Sequence, residues 1–304
     1  MTHEPPGIAP GKDRIGIGIA SILLAVLCFA IVDATAKWLG RDYEPAQIVF
    51  LRYVFGLLPA AALVWRGGGL RALRTRRPAL HALRALLVFA ALFTFFSGLR
   101  RMPLAEAIAI AFTAPLFVTA LSAPLLAEPV GARRWAAVLI GFLGALVMVR
   151  PGAAGFRVEA LWILAAALSF ALAMLLTRRM TRSETNVAML TYTTLGAGLA
   201  SLPLMPFVWR APTGGDIWLF LLIGMVGGTA AYFVIAAYRN APAALVAPFE
   251  YTALVWGAIL GWILWREQPE PLVWTGAAVI MLSGLYITHR EARAAVRAEQ
   301  QVAR

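Results

Sequence analysis

Apolar residues run through this chain in stretches of about twenty, each closed by a short polar or glycine-proline break. A stretch of that length matches the hydrocarbon of a bilayer. Only a helix satisfies its own backbone where no water is available, and about 20 helical residues span it. Ten such runs are present, at 15–38, 46–65, 80–99, 104–126, 132–149, 159–178, 187–209, 216–237, 243–265 and 271–288. The breaks carry turn chemistry: Arg66-Gly67-Gly68-Gly69, Arg150-Pro151-Gly152 and Pro212-Thr213-Gly214-Gly215. Tryptophans such as Trp38, Trp65, Trp209 and Trp265 fall near run ends, as an interfacial belt requires, whereas Trp256 does not. The expected fold class is all-α integral membrane, with ten transmembrane helices.

Composition agrees with the pattern. Of 304 residues, 61% are hydrophobic and 14% charged, against about 45–50% and 25% in soluble domains. A soluble enzyme, a disordered regulator and a nucleic-acid-binding domain are excluded, so the net charge of +12 needs another reading. Lys and Arg concentrate in loops on the cytoplasmic side of membrane proteins. With both termini on one side, that side holds 18 of the basic residues and the other holds 8, with Arg52 inside a helix. The chain is therefore expected in a bacterial inner membrane with cytoplasmic termini, and 289–304 as a basic tail on the lipid surface. The single Cys28 and the scattered His3, His81 and His289 form no ligand cluster, so neither cofactor nor metal is expected.

The chain repeats itself. An offset of 139 residues aligns Arg100 with Arg239, Pro103 with Pro242, Thr113 with Thr252, Glu128 with Glu267 and Trp135 with Trp274. An offset of 141 aligns Lys37 with Arg178. The repeats are expected at 15–149 and 159–288. Five helices per repeat is an odd number, so the halves have opposite topology. Inverted repeats around a midplane site are the architecture of alternating-access transporters. A membrane enzyme is disfavoured, since no D-x-x-x-D pair or glycine-rich phosphate loop is present. A channel has little need of such a repeat.

Ionisable groups within the runs are candidates for function. Asp33 lies one turn from Lys37 and at a similar depth to Arg52. The two are read as pinning helices, through each other, a local Lys37 pair or a carbonyl, in preference to touching substrate. Glu106, three residues after Pro103, complements a helix dipole. Glu128 and Glu267 end their runs and are expected to bridge to Arg133 and Arg134, or to Arg266. Pro103 and Pro242 mark paired junctions, expected to narrow on opposite faces in alternate states. Pro115 and Pro248, within runs, either shape the bundle or act as hinges. Glu250 is the deepest acid, with Gly257 and Gly261 continuing its stripe as a small-residue seam. It either sits in that seam or faces substrate. Phe249 and Trp256 share its helix at i,i+7 and provide an aromatic wall. Tyr251, Tyr232, Tyr192, Phe112 and Thr113 complete the candidate substrate-binding set.

Several of these motifs resemble the drug/metabolite transporter superfamily, in its EamA-like branch. They are Phe50-Leu51-Arg52-Tyr53, Met102-Pro103-Leu104-Ala105-Glu106-Ala107 and Ala114-Pro115-Leu116-Phe117-Val118, followed by Ala127-Glu128 and its copy at Glu267. The second half departs from the first, reading Met189-Leu190-Thr191-Tyr192 where the first has Phe50-Leu51-Arg52-Tyr53. The resemblance implies a basket of helices around a central cavity and a secondary transporter for small molecules. The reading it supports is export of neutral or aromatic amino acids across the inner membrane. Glu250 would attract the ammonium group and aromatics would supply apolar and cation–π surface. The alternative is a carrier of S-adenosylmethionine or another metabolite of the same superfamily. The expected partners are a small-molecule substrate and the lipid bilayer, with no nucleic acid. Proton coupling through Glu250 is open to it, and the chain is expected as a monomer or weak dimer.

The charge bias makes one direct prediction. A green fluorescent protein fused to the C-terminus should fluoresce, and alkaline phosphatase fused there should stay inactive. The converse pattern would reverse the orientation.

Overall fold

The computed structural model describes residues 12–66, 69–126, 131–150, 157–181 and 183–302. All regular structure among them is helical. Ten helical units are long and apolar enough to cross a membrane. They are α1 (Lys12–Leu39), α2 (Pro45–Arg66), α3 (Pro78–Leu99), α4 in two segments, α4a (Leu104–Ala111) and α4b (Ala114–Leu126), and α5 (Ala132–Val149). There follow α6 (Glu159–Met180), α7 (Asn186–Ser201, continued by short turns to Val208), α8 (Asp216–Asn240), α9a (Ala243–Glu250), α9b (Thr252–Trp265) and α10 (Pro271–Val302). Proline opens α2, α3 and α10, where its missing N–H is an orphan donor in any case. Pro203 and Pro206 divide the end of α7 into short turns. The helix of α10 runs on through most of the segment expected as a basic tail. Glu128, to which Arg133 and Arg134 were expected to bridge, lies outside the described residues.

The packing obeys a two-fold rule, which follows from the repeat. Each helix n corresponds to n+5. The α1–α8 pair is matched by α6–α3, and α2–α8 by α7–α3. The α2–α7 and α5–α10 pairs map onto themselves. We call the side where α1 begins the near face and the side where it ends the far face.

Glycines set how close these seams come. Lipid tails are as apolar as leucine, so helices associate through tight packing rather than water exclusion. At the α5–α10 seam, a Cβ on Gly276 would lie 2.6 Å from the Gly144 carbonyl oxygen. A Cβ on Gly144 would lie 3.0 Å from the Gly276 carbonyl oxygen. At the α3–α6 seam, a Cβ on Gly98 would meet the Glu159 carbonyl oxygen at 2.8 Å. Large side chains such as Leu139, Leu143, Leu199 and Leu282 stay exposed on the outer surface, as lipid solvation allows.

Because backbone blocks the space at Gly276, no side-chain rotation relieves a substitution there. Gly276→Leu should lower stability by about 1–3 kcal/mol, the usual range for overpacking. A thermal-unfolding series in detergent measures it, with Leu282→Ala on the lipid-facing side as a near-neutral control.

Candidate functional site at the broken helices

The fourth and ninth helices break at pseudo-equivalent residues. In α4 the break falls at Phe112-Thr113 and in α9 at Tyr251, 139 positions further on. At each break a tight-turn backbone N–H already reaches the carbonyl two or three residues back, and a threonine hydroxyl adds a second bond to that carbonyl in both halves. Thr113 Oγ1 donates to the Ile110 carbonyl at 2.8 Å, and Thr252 Oγ1 to the Phe249 carbonyl at 2.6 Å. The prolines are not symmetric. Pro115 was expected inside a helix but occupies the first turn of α4b, where its missing donor breaks nothing. Pro248 lies within α9a, before its break. The aromatic rings at the two breaks then meet, Phe112 against Tyr251 with centroids 4.7 Å apart.

Far-face closure is built on α1, α4a and α9b. Lys37 Nζ donates to the Met102 carbonyl and to Glu267 Oε1. The other oxygen, Glu267 Oε2, accepts from the backbone N–H of Leu104 at 2.8 Å, so the carboxylate both pairs with Lys37 and caps α4a. Gly257 fits against Ala105 and Ile108, while Gly261 leaves room for Leu104 and Glu267. Pro103 caps α4a and Pro242 caps α9a, and Glu106 sits in the first turn of α4a. The reciprocal packing, α9a on α4b at the near face, has no counterpart of this closeness among the described residues. Two expectations change here. Lys37 reaches across to Glu267 rather than back to Asp33, because its side chain is buried in the α4a–α9b junction. Arg266 does not hold Glu267; it turns away through a left-handed residue, φ 57°, onto the Trp262 ring. Beyond this closure a cavity of about 290 Å³ is lined by Lys37, Arg41, Arg100, Arg101, Arg157 and Trp265 among others.

The remaining candidates divide. Glu250 is half-buried and accepts a hydrogen bond from the Tyr238 hydroxyl of α8. Tyr251 is nearly buried, its hydroxyl against α10 where Gly284 has no side chain. Phe249 and Trp256 pack on a cluster with Ile22 and Val26 of α1 and Val246. Thr113 is fully buried and occupied by Ile110. Tyr192 is drawn elsewhere, stacking on His81 and donating to the Leu73 carbonyl near the near face. Tyr232 is 51% exposed, edge-on to Phe233. Asp33 and Arg52 are half-buried, and no ion pair or hydrogen bond joins them. Arg52 nonetheless acts electrostatically on Asp33.

The roles of four polar side chains escaped the sequence reading. Arg84, counted with the loop charges, lies within α3 and ties it to Thr177 of α6 and to the Met189 carbonyl and Thr193 of α7. His81 and Glu184 form a buried pair, 3.1 Å apart, at the near face. Burial acts to raise the Glu184 carboxyl, but hydrogen bonds from His81, Thr75 and the Arg76 backbone outweigh it and hold it below the usual carboxylate range. Tyr238 precedes Glu250 by twelve residues, a spacing with no helical meaning; only the α8–α9a turn brings them together. For Lys37 the repeat did carry a signal, its alignment with Arg178.

Comparison with known proteins places this geometry. The chain is 30% identical over 277 residues to an S-adenosylmethionine uptake transporter of Rickettsia prowazekii, covering 90% of this chain and 93% of that protein. It is 32% identical over 293 residues to a riboflavin transporter of Rhizobium johnstonii, covering 94% and 95%. A riboflavin transporter of Vibrio cholerae is 29% identical over 290 residues, covering 94% and 97%. A crystal structure with 24% sequence identity superposes with a TM-score of 0.63, covering 93% of this chain and 97% of that one, and so shares the fold. The sequence profile of the EamA-like transporter family matches residues 16–150 and 157–289, one match in each half. With both halves matched, the chain belongs to the EamA-like transporter family.

Proposed function

We propose that this chain takes up S-adenosylmethionine, or a metabolite of the same build, across the inner membrane by alternating access. The observation that carries the transport reading is the pair of pseudo-equivalent breaks in α4 and α9, whose rings meet at Phe112 and Tyr251. Discontinuous helices in corresponding positions of two inverted halves are where transporters bind substrate. The repeats at 15–149 and 159–288 are the two moving frames. The near face is cytoplasmic, as the basic residues favour.

Amino-acid export gives way to the alternative set beside it. The relatives at 30% and 32% identity are named for S-adenosylmethionine uptake and for riboflavin transport. Both ligands join a nitrogen heterocycle to a polar chain. S-adenosylmethionine carries a cationic sulfonium, so the chemistry read for Glu250 carries over: a carboxylate for a cationic group, with aromatic surface beside it. Its sulfonium also makes it a net cation. A negative interior then favours uptake by about 2.3 kcal/mol per charge per 100 mV, without a coupling ion.

On this proposal the Lys37–Glu267–Leu104 closure at the far face is the outer gate in its shut form. Opening to the outside requires α4a and α9b to separate, which breaks the Leu104–Glu267 bond and parts Lys37 from either Glu267 or the Met102 carbonyl.

Two measurements test this reading. In proteoliposomes with an imposed inside-negative potassium potential, labelled S-adenosylmethionine should enter saturably, and faster with potential than without. Glu250→Gln should lower that uptake at least tenfold at unchanged yield of folded protein. Absence of S-adenosylmethionine flux beside saturable counterflow of aromatic amino acids would return the assignment to amino-acid export. For the closure, Glu267→Gln in a Cys28→Ser, Ile108→Cys background should speed labelling of position 108 by an impermeant maleimide several-fold. An unchanged rate would show that the pair does not hold the far face shut.

A further inference from the structure

Of three cations inside the described bundle, Arg84, Lys37 and Arg52, two are hydrogen-bonded. Arg84 is bonded to Thr177, Thr193 and the Met189 carbonyl. Lys37 is bonded to Glu267 and the Met102 carbonyl. Arg52 is different. Among the described residues its guanidinium has neither a hydrogen bond nor an ion pair, leaving all five of its donors unused. It lies seven residues into α2, roughly 10 Å deep at about 1.5 Å per residue. A charge at that depth is costly unless it meets a partner or faces a water-filled space.

Its surroundings are built around it. A Cβ on Gly227 of α8 would lie 3.2 Å from Arg52 Nη2, so the glycine leaves the guanidinium its place. The Phe96 ring of α3 lies beneath it, 6.0 Å from centroid to Cζ. Asp33 of α1 is close enough for the two charges to act on one another, yet beyond salt-bridge contact. It too makes no side-chain bond among the described residues. Four helices thus bring together one acid and one base, half-buried and unpaired. If their role were to pin helices, they would touch. Held apart, they suit a ligand that carries both opposite charges on one carbon.

We propose that Asp33 and Arg52 form a subsite for the α-amino-acid end of the transported molecule. The Arg52 fork receives the carboxylate and Asp33 receives the ammonium. A guanidinium presents paired donors that match a carboxylate in a way an ammonium does not. The subsite lies toward the far face, while Glu250 lies seven residues into α9 from the near face. Thr191 stands where the second half would need its Arg52, so the repeat supplies only one such subsite. This inference rests on the uptake reading above.

The test compares S-adenosylmethionine with its decarboxylated form, which lacks only the carboxylate, as competitors of labelled uptake into proteoliposomes. Wild type should prefer S-adenosylmethionine at least tenfold. Arg52→Gln should abolish that preference by weakening S-adenosylmethionine while leaving the decarboxylated form unchanged, which also shows that the variant is folded. Should Arg52→Gln not fold, Arg52→Lys decides in its place, with the preference cut several-fold by loss of the fork. Either variant keeping the wild-type preference overturns the subsite and leaves the transport reading intact. Wild type without S-adenosylmethionine uptake overturns the transport reading, and this inference with it.

Discussion

Hydrocarbon offers no partner to a peptide group, and everything in this structure answers to that constraint. It makes the ten spans helical, and it confines irregular backbone to places that protein can cover. The breaks in α4 and α9 are the clearest consequence. Each interrupts the helical bond ladder at a depth where an unsatisfied group costs several kcal/mol. Each is met by a threonine donating three residues back, Thr113 to Ile110 and Thr252 to Phe249.

Close approach of backbones then divides the bundle into parts that are fixed and parts that can move. Where Gly98, Gly144 and Gly276 bring carbonyls within reach of the neighbouring helix, small shifts already produce clashes, and these seams hold rigidly. The α4a–α9b contact is of another kind. It depends on glycines against side chains and on one carboxylate, Glu267, shared between a lysine and a helix N-terminus. Charge-assisted bonds of this type are strong while formed and can be replaced by water when they open. On the proposed cycle, the movement would fall at this polar closure.

The symmetric frame carries asymmetric chemistry. Thr113 and Thr252, and Phe112 and Tyr251, are equivalent and serve the fold. Asp33, Arg52 and Glu250 have no charged equivalents in the opposite half. Packing has to work in both halves, so the repeat preserves it. On the proposed function, a ligand with distinct ends is bound once, and its contacts would break the symmetry.

The apolar runs and their proline and glycine breaks determined ten spans in the sequence, since helix length in a bilayer is a matter of composition alone. The offset of 139 determined the inverted repeat, because paired Pro103/Pro242 and an odd helix count leave no other topology. The sequence also singled out Glu250, Arg52 and Asp33, since charge inside an apolar run is visible without coordinates. What each charge meets was decided only by the tertiary structure. Lys37 passes over Asp33, four residues away, for Glu267, 230 residues away, because α1 packs into the α4a–α9b junction. Tyr192 and Tyr232 sit mid-helix like Phe112, yet helix rotation sends one to a loop carbonyl and the other to the outer surface. Periodicity describes the face of one helix. Which neighbour that face finds depends on how ten of them pack.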